Sequence, residues 1–164
     1  MGSRTRPGSQ QLQVLVDAAL TDLVLIQVAA ASTSDAHRLT LRDLAPTTIW
    51  MLQGPVRRIG HLSTGTFLDL WWDPRSGLSD SPLPAVLGRA DREGQRFPDP
   101  SFLLRSPRIS GSGIQYDIDR LSGPGPGRTG ACVLFLGPGR PSGPPADPTG
   151  TSPHQGGPDA SAPR

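Results

Sequence analysis

The sequence contains no lysine and no asparagine, and its single glutamate, Glu93, stands against 13 aspartates. Avoidance of A-rich codons in a GC-rich genome explains this bias without reference to function. The missing lysine nevertheless has a chemical consequence. Gly60 and Gly65 bracket four residues as in a GxxxxGK[ST] loop, but Thr66 stands where that loop needs its lysine. A phosphate-binding loop of this kind is therefore excluded.

Cysteine and histidine, which are common metal ligands, are also scarce. Cys132 is the single cysteine, so no intrachain disulfide can form. It lies in the apolar run 131–136, which predicts a small buried hydrophobic residue rather than a reactive thiol. The three histidines form no HxxxH or HExxH pattern, and there is no CxxC motif. The sequence predicts neither a metal site nor a cofactor.

Charge is sparse and scattered along the chain. The net charge is +2, and the 16 arginines are dispersed apart from the Arg57-Arg58 pair and two near the N-terminus. Nucleic-acid-binding domains usually cluster basic residues on one face, so no nucleic-acid partner is expected. Weak nucleic-acid binding through Arg57/Arg58 is kept as a second alternative function. No apolar run reaches the length of a transmembrane helix, and Asp17 and Asp22 interrupt the N-terminal apolar stretch, which argues against a signal peptide.

The apolar pattern is that of a β protein. The runs 23–28 and 131–136 are continuously apolar, as in strands buried on both faces, whereas 114–119 alternates like a half-buried strand. We therefore predict a mainly β fold, either β-sandwich-like or a β-dominated α+β domain. Further predicted strands cover 38–42, 47–52, 56–59, 84–87 and 101–105, with turns or loops at 32–35, 107–113 and 122–130.

Helical spacing occurs in two places. Apolar residues at i, i+3 and i+4 predict a helix over 64–72, which Ser63 or Thr64 would cap and Pro74 would end. A second short helix is indicated near 12–20.

Three segments follow from these elements. A partly helical extension (1–20) precedes a compact β-rich domain (21–137), and a tail (138–164) follows. The tail contains eight prolines, five glycines and no Val, Ile, Leu, Met, Phe, Tyr or Trp. Such a composition predicts disorder because too little apolar area can be buried to offset the entropy of ordering.

The most suggestive cluster lies around the turn before the 64–72 helix. Tryptophan and arginine are enriched in binding hot spots, and a pocket beside this helix could take a small apolar ligand or a protein partner. The candidate ligand-binding residues are Trp50, Arg57, His61 and Trp71. For both tryptophans, the alternative is a place in the hydrophobic core.

A hydrolase is the alternative function. The segment 61–65 resembles the second half of a GxSxG nucleophile elbow, with His61 in place of the first glycine. Such an enzyme would use His61 with Ser63 or Asp69, although a turn at His61 and a helix cap at Ser63 explain the same residues. No complete catalytic motif is present. The leading hypothesis is a non-enzymatic binding or structural domain.

Several segments between residues 23 and 137 resemble a family of bacterial proteins of unknown function. The shared features are 23–27, 39–41, 46–50, the Gly60-His61 pair after an arginine, 66–71, 103–108 and 114–118. Many members of that family are exported, so the resemblance implies an extracytoplasmic location and no particular activity. The chain departs from the family at 53–55, where an Asp-Arg-Pro turn is common, and at 80–84.

Overall fold

The computed structural model describes residues 7–18, 20–89 and 99–137, so the predicted disordered tail lies outside the described residues. The prediction of a β-dominated domain is confirmed. The described residues form two α-helices, α1 (Pro7–Asp17) and α2 (Thr64–Trp72), and a short 3₁₀ helix at Leu20–Asp22. The strands are β1 (Leu23–Ser34), β2 (Arg38–Leu44), β3 (Thr47–Leu52), β4 (Arg58–Ser63), β5 (Leu83–Arg89), β6 (Ser101–Ser110), β7 (Gly113–Ser122), β8 (Gly127–Thr129) and β9 (Cys132–Leu136).

Six strands close on themselves, so the described strands form one continuous antiparallel sheet rather than two packed sheets. The closed circuit of neighbours runs β1, β2, β7, β6, β5, β9 and back to β1. A ring of this kind has no free edge along its circuit. We call this part of the sheet the ring.

Strand β1 connects the ring to the β3–β4 hairpin. One edge of β1 pairs with β3 over residues 23–26 and with β2 over 29–34. Its other edge pairs with β9 and then with β8. The chain leaves β2 through Asp43, which has a positive φ of 48°, and Pro46 interrupts the ladder before β3 begins. The β3–β4 hairpin therefore continues the sheet outside the ring, from the edge of β1 that β3 shares with β2.

Three polar side chains are buried among aliphatic and aromatic ones inside the sheet and are linked by hydrogen bonds. We call this series the buried polar chain. The Tyr116 hydroxyl donates to Gln27 Oε1 at 2.7 Å, and Gln27 Nε2 donates to Thr48 Oγ1 at 3.2 Å. All three residues are buried. Burial raises the pKa of the Tyr116 hydroxyl well above its ordinary value. Because each polar group finds a partner, the network avoids the cost of an unpaired buried dipole.

Helix α2 begins where the sequence predicts. Ser63 Oγ accepts a hydrogen bond from the Thr66 backbone N–H at 3.1 Å, which is an N-cap. The helix packs against β3, β4 and β6 and ends at Asp73, ahead of Pro74. The buried face of the helix consists of Phe67, Leu70 and Trp71.

Five local predictions were wrong in their boundaries. The strand predicted at 56–59 is β4, which covers Arg58–Ser63. Polar residues 32–34 belong to β1 rather than to a turn, because β2 and β8 pair with them on both sides. Likewise β6 continues to Ser110 through a bulge between Arg105 and Arg108, and β8 lies inside the predicted 122–130 loop. Helix α1 begins at Pro7, ahead of the predicted 12–20 segment, and its last residue is Asp17.

Candidate functional site

The four predicted binding residues do not share one surface. Trp50 and Trp71 are buried, with 4% and 1% of their surface exposed, whereas Arg57 and His61 are exposed. Trp50 lies opposite Gly60 in the β3–β4 pairing, and His61 lies opposite Ile49. Because successive side chains of a strand point to opposite faces, Trp50 and His61 lie on opposite sides of the hairpin.

Trp71 is part of the core. Its ring centroid lies 6.0 Å from that of Phe67 and 6.1 Å from that of Tyr116, in edge-on and tilted arrangements. It also forms part of the wall of a cavity of about 210 Å³ at the end of α2, together with the exposed Trp72. Arg105 on the same wall is already paired with Asp119 at 2.5 Å.

The residues of the hydrolase alternative are engaged in other contacts. His61 lies within β4 rather than in the predicted turn, because it pairs with Ile49. Ser63 Oγ is held by the Thr66 backbone and by the Thr66 hydroxyl at 2.9 Å. Within the described residues, no hydrogen bond joins His61 to Ser63 or to Asp69. The geometry therefore supplies no base-and-nucleophile pair at this turn.

A row of outward-facing side chains crosses five strands of the sheet. Directly paired positions share a face, so the backbone register places these residues side by side. From β5 to β4 the row consists of Val86, Phe135, Ile26, Ile49 and His61. Its four apolar members are all partly buried, and His61 is exposed.

Apolar side chains also flank this row on both sides. Val24 pairs with Met51, which pairs with Ile59 on β4, and Val28 pairs with Val133. Ile59 is 65% exposed and Val28 is 42% exposed. Val24 is buried in a shallow groove of about 40 Å³ that Val86, Phe135 and Leu121 also line. We call the three rows together the outer face.

The outer face is unusual for an antiparallel sheet. Such sheets commonly bury one face and place polar side chains on the side that meets water. Contiguous exposed apolar surface in a soluble domain marks an interaction site more often than isolated apolar residues do. The outer face is therefore the strongest candidate binding surface in the described part of the chain.

Basic residues border the outer face at β4. Arg57 and Arg58 are exposed, and no ion pair joins either of them to another described residue. The strands that carry the outer face contain no Asp or Glu. The two arginines make this border positive on balance, with one nearby carboxylate, that of Asp22 beside Gly54 at the same hairpin turn.

The sequence carried a signal for the outer face, although it was interpreted differently. The continuous apolar runs 23–28 and 131–136 were predicted as strands buried on both faces. The structure buries their inward residues and leaves Ile26, Val28 and Phe135 partly or largely exposed. Nothing in the order of the residues distinguishes a face covered by the same chain from one left open.

Comparisons with known proteins identify no relative. No protein-family model, curated protein or solved structure matches this chain. Among the described residues, no helix has both the length and the apolar character needed to span a bilayer. The same residues contain no group of three or more His, Cys, Asp or Glu side chains arranged to hold a metal ion.

Proposed function

We propose that this domain is a non-enzymatic binding module whose outer face takes an amphipathic helix from a partner protein. The observation that carries the proposal is the row from Val86 to His61, which sets four apolar side chains next to one another across β5, β9, β1 and β3. A helix presents a comparable apolar stripe through residues at i, i+3, i+4 and i+7.

The dimensions of the outer face favour a helix over a second copy of this chain. Five neighbouring strands span about 19 Å, and three rows of alternate residues span about 13 Å along the strands. A helix of about 13 residues is about 19 Å long and about 10 Å wide. A stable protein–protein interface usually buries about 800 Å² on each partner, which is well above the area of such a footprint.

The positive border adds a requirement on the partner. Arg57 and Arg58 lie at the start of β4, next to Ile59 of the outer face. An acidic residue near one end of the bound helix would meet these side chains and gain orientation and association rate from them. The expected partner segment is therefore apolar on one face and acidic at one end.

Selection from a displayed library of amphipathic helical peptides against the full chain would test the proposal. We expect the selected peptides to be acidic at one end. When a selected peptide binds, the chemical-shift changes measured by nuclear magnetic resonance should be confined to the outward residues of β4, β3, β1, β9 and β5. Ile59→Asp should weaken binding tenfold or more, because it places a charge in the apolar contact.

Ile109→Asp provides the matched control. Ile109 is 57% exposed, similar to Ile59, but it lies next to the β6–β7 turn and outside the outer face. It should leave peptide affinity unchanged. The proposal would be overturned by equal losses in the two variants or by failure to select any helix. Selection of extended peptides that pair with the β4 backbone would also overturn it, as would concentration-dependent dimerisation through Ile59.

A further inference from the structure

A second site lies away from the outer face, where β1 and β5 end and β6 begins. A small cavity of about 30 Å³ lies there, and its lining combines arginine and hydroxyl-bearing residues with apolar ones such as Leu87 and Phe102. The polar lining consists of Arg89, Arg120, Arg128, Ser32, Ser34 and Thr129. No described Asp or Glu lines the cavity.

Arg89 is the unusual member of this lining. Its Nε is buried and has no hydrogen-bond partner. No ion pair joins its guanidinium to another described residue. A buried donor on a charged group is costly to leave unpaired, and a compensating anion removes that cost.

Arg120 of β7 also lines the cavity and is held by three contacts. Its guanidinium carbon lies 4.9 Å from the centre of the Phe102 ring. One nitrogen donates to Ser34 Oγ at 3.1 Å, and another donates to the Pro124 carbonyl. These contacts fix the plane of the guanidinium before any ligand arrives, which lowers the entropy cost of binding.

Hydroxyl groups complete the polar lining. Ser32 Oγ and Thr129 Oγ1 lie 2.7 Å apart across the β1–β8 pairing. Arg128 is exposed on the neighbouring strand position, opposite Thr33. The cavity thus offers charged and neutral donors from β1, β5, β7 and β8.

We propose that this cavity binds a single oxyanion group, a carboxylate or a phosphate, of a small ligand. Guanidinium groups match the planar, bidentate geometry of such groups. The volume of about 30 Å³ admits one such group and leaves the rest of the ligand outside, near Arg128. The site is independent of the outer face, because none of its lining residues belongs to the three apolar rows.

Thermal unfolding of the full chain in inorganic phosphate, acetate or chloride, at constant ionic strength, would test this site. We expect a saturable rise of the unfolding midpoint with phosphate or acetate, and the tighter of the two identifies the group. Arg89→Gln should weaken that anion tenfold or more. Arg128→Gln should weaken it several-fold, and Arg42→Gln, an exposed arginine outside the cavity, should have no effect.

Thermal unfolding in chloride, without any oxyanion, tests whether Arg89 lacks a compensating partner. Arg89→Met removes the unpaired buried Nε–H donor together with the charge of the guanidinium and keeps much of the side-chain volume. Its unfolding midpoint in chloride should equal or exceed that of the unsubstituted chain. A lower midpoint would show that the guanidinium is already compensated and would overturn the proposal. Non-saturable anion effects, or equal effects in Arg89→Gln and Arg42→Gln, would also overturn it.

Discussion

The indole of Trp50 lies directly against the backbone of Gly60, its cross-strand partner on β4. A Cβ atom built at Gly60 would approach the indole carbons to 2.4 Å, closer than real contacts allow. The glycine thus makes room for a tryptophan that is 4% exposed. An aromatic side chain over a strand glycine restores the packing that the missing side chain would have supplied.

This contact predicts that Gly60→Ala lowers the free energy of unfolding by about 1–3 kcal/mol, because the indole must leave its rotamer or the strands must separate. Urea denaturation would measure the change. Gly65→Ala is the control, since open space surrounds that helical position and alanine should be neutral or stabilising by up to about 1 kcal/mol. Equal midpoints for Gly60→Ala and the unsubstituted chain would contradict the packing described.

The buried polar chain predicts a cost for removing one hydroxyl. Tyr116→Phe leaves Gln27 Oε1 without its donor and should cost about 1–3 kcal/mol of unfolding free energy. In chemical denaturation, the double variant Gln27→Met/Tyr116→Phe should cost less than the sum of the single changes, because the two groups satisfy each other. Strict additivity would mean that the two side chains do not interact.

High pH should destabilise the domain through Tyr116. Its folded-state pKa is raised by burial, whereas the unfolded hydroxyl titrates near its ordinary value of about 10. The unfolded state therefore loses its proton first as pH rises past about 10, and stability falls by about 1.4 kcal/mol per pH unit until the folded hydroxyl also ionises. Below that range this contribution is fully retained.

Denaturant titrations at successive pH values would measure this slope. Tyr116 is the only tyrosine of the chain, so ultraviolet absorbance of the phenolate reports its titration directly. Tyr116→Phe should abolish the part of the slope that begins near pH 10. Ionisation of Tyr116 in the native protein at its ordinary pKa would refute the prediction.

The N-cap of α2 predicts a further stability change. Ser63→Ala removes the acceptor for the Thr66 N–H and should cost about 1 kcal/mol, whereas Ser63→Asp keeps an acceptor and should preserve stability. Thermal unfolding would compare the two variants. If Ser63→Ala and Ser63→Asp behaved alike, the helix would be capped by another group.

Local patterns predicted the elements better than their arrangement. Alternation at 114–119 and the serine before 64–72 report directly on nearby backbone, and both predictions are confirmed. The same reasoning failed for residues 32–34, because β2 and β8 pair with them on both sides. The β8 partner of Ser32, Thr129, lies 97 residues later in the chain. Polar side chains there are tolerated because Ser32 bonds to Thr129.

The candidate sites depended even more on distant contacts. Composition placed Trp50 and His61 in one candidate site, but strand alternation puts these two side chains on opposite faces of the hairpin. Arg89 stands in a short strand with no motif around it. The role proposed for it depends on β1, β7 and β8, which bring hydroxyl-bearing residues and two further arginines to the same cavity.

Closure of the ring imposes an order on folding. Ala29 of β1 pairs with Cys132 of β9, about 100 positions later in the chain. During synthesis one edge of β1 therefore stays unpaired while every intervening strand is made. Long-range pairings of this kind form slowly, and the partly folded intermediates are prone to aggregate. We expect the nascent chain to depend on chaperones or rapid hairpin formation by β6 and β7 until its last strand emerges.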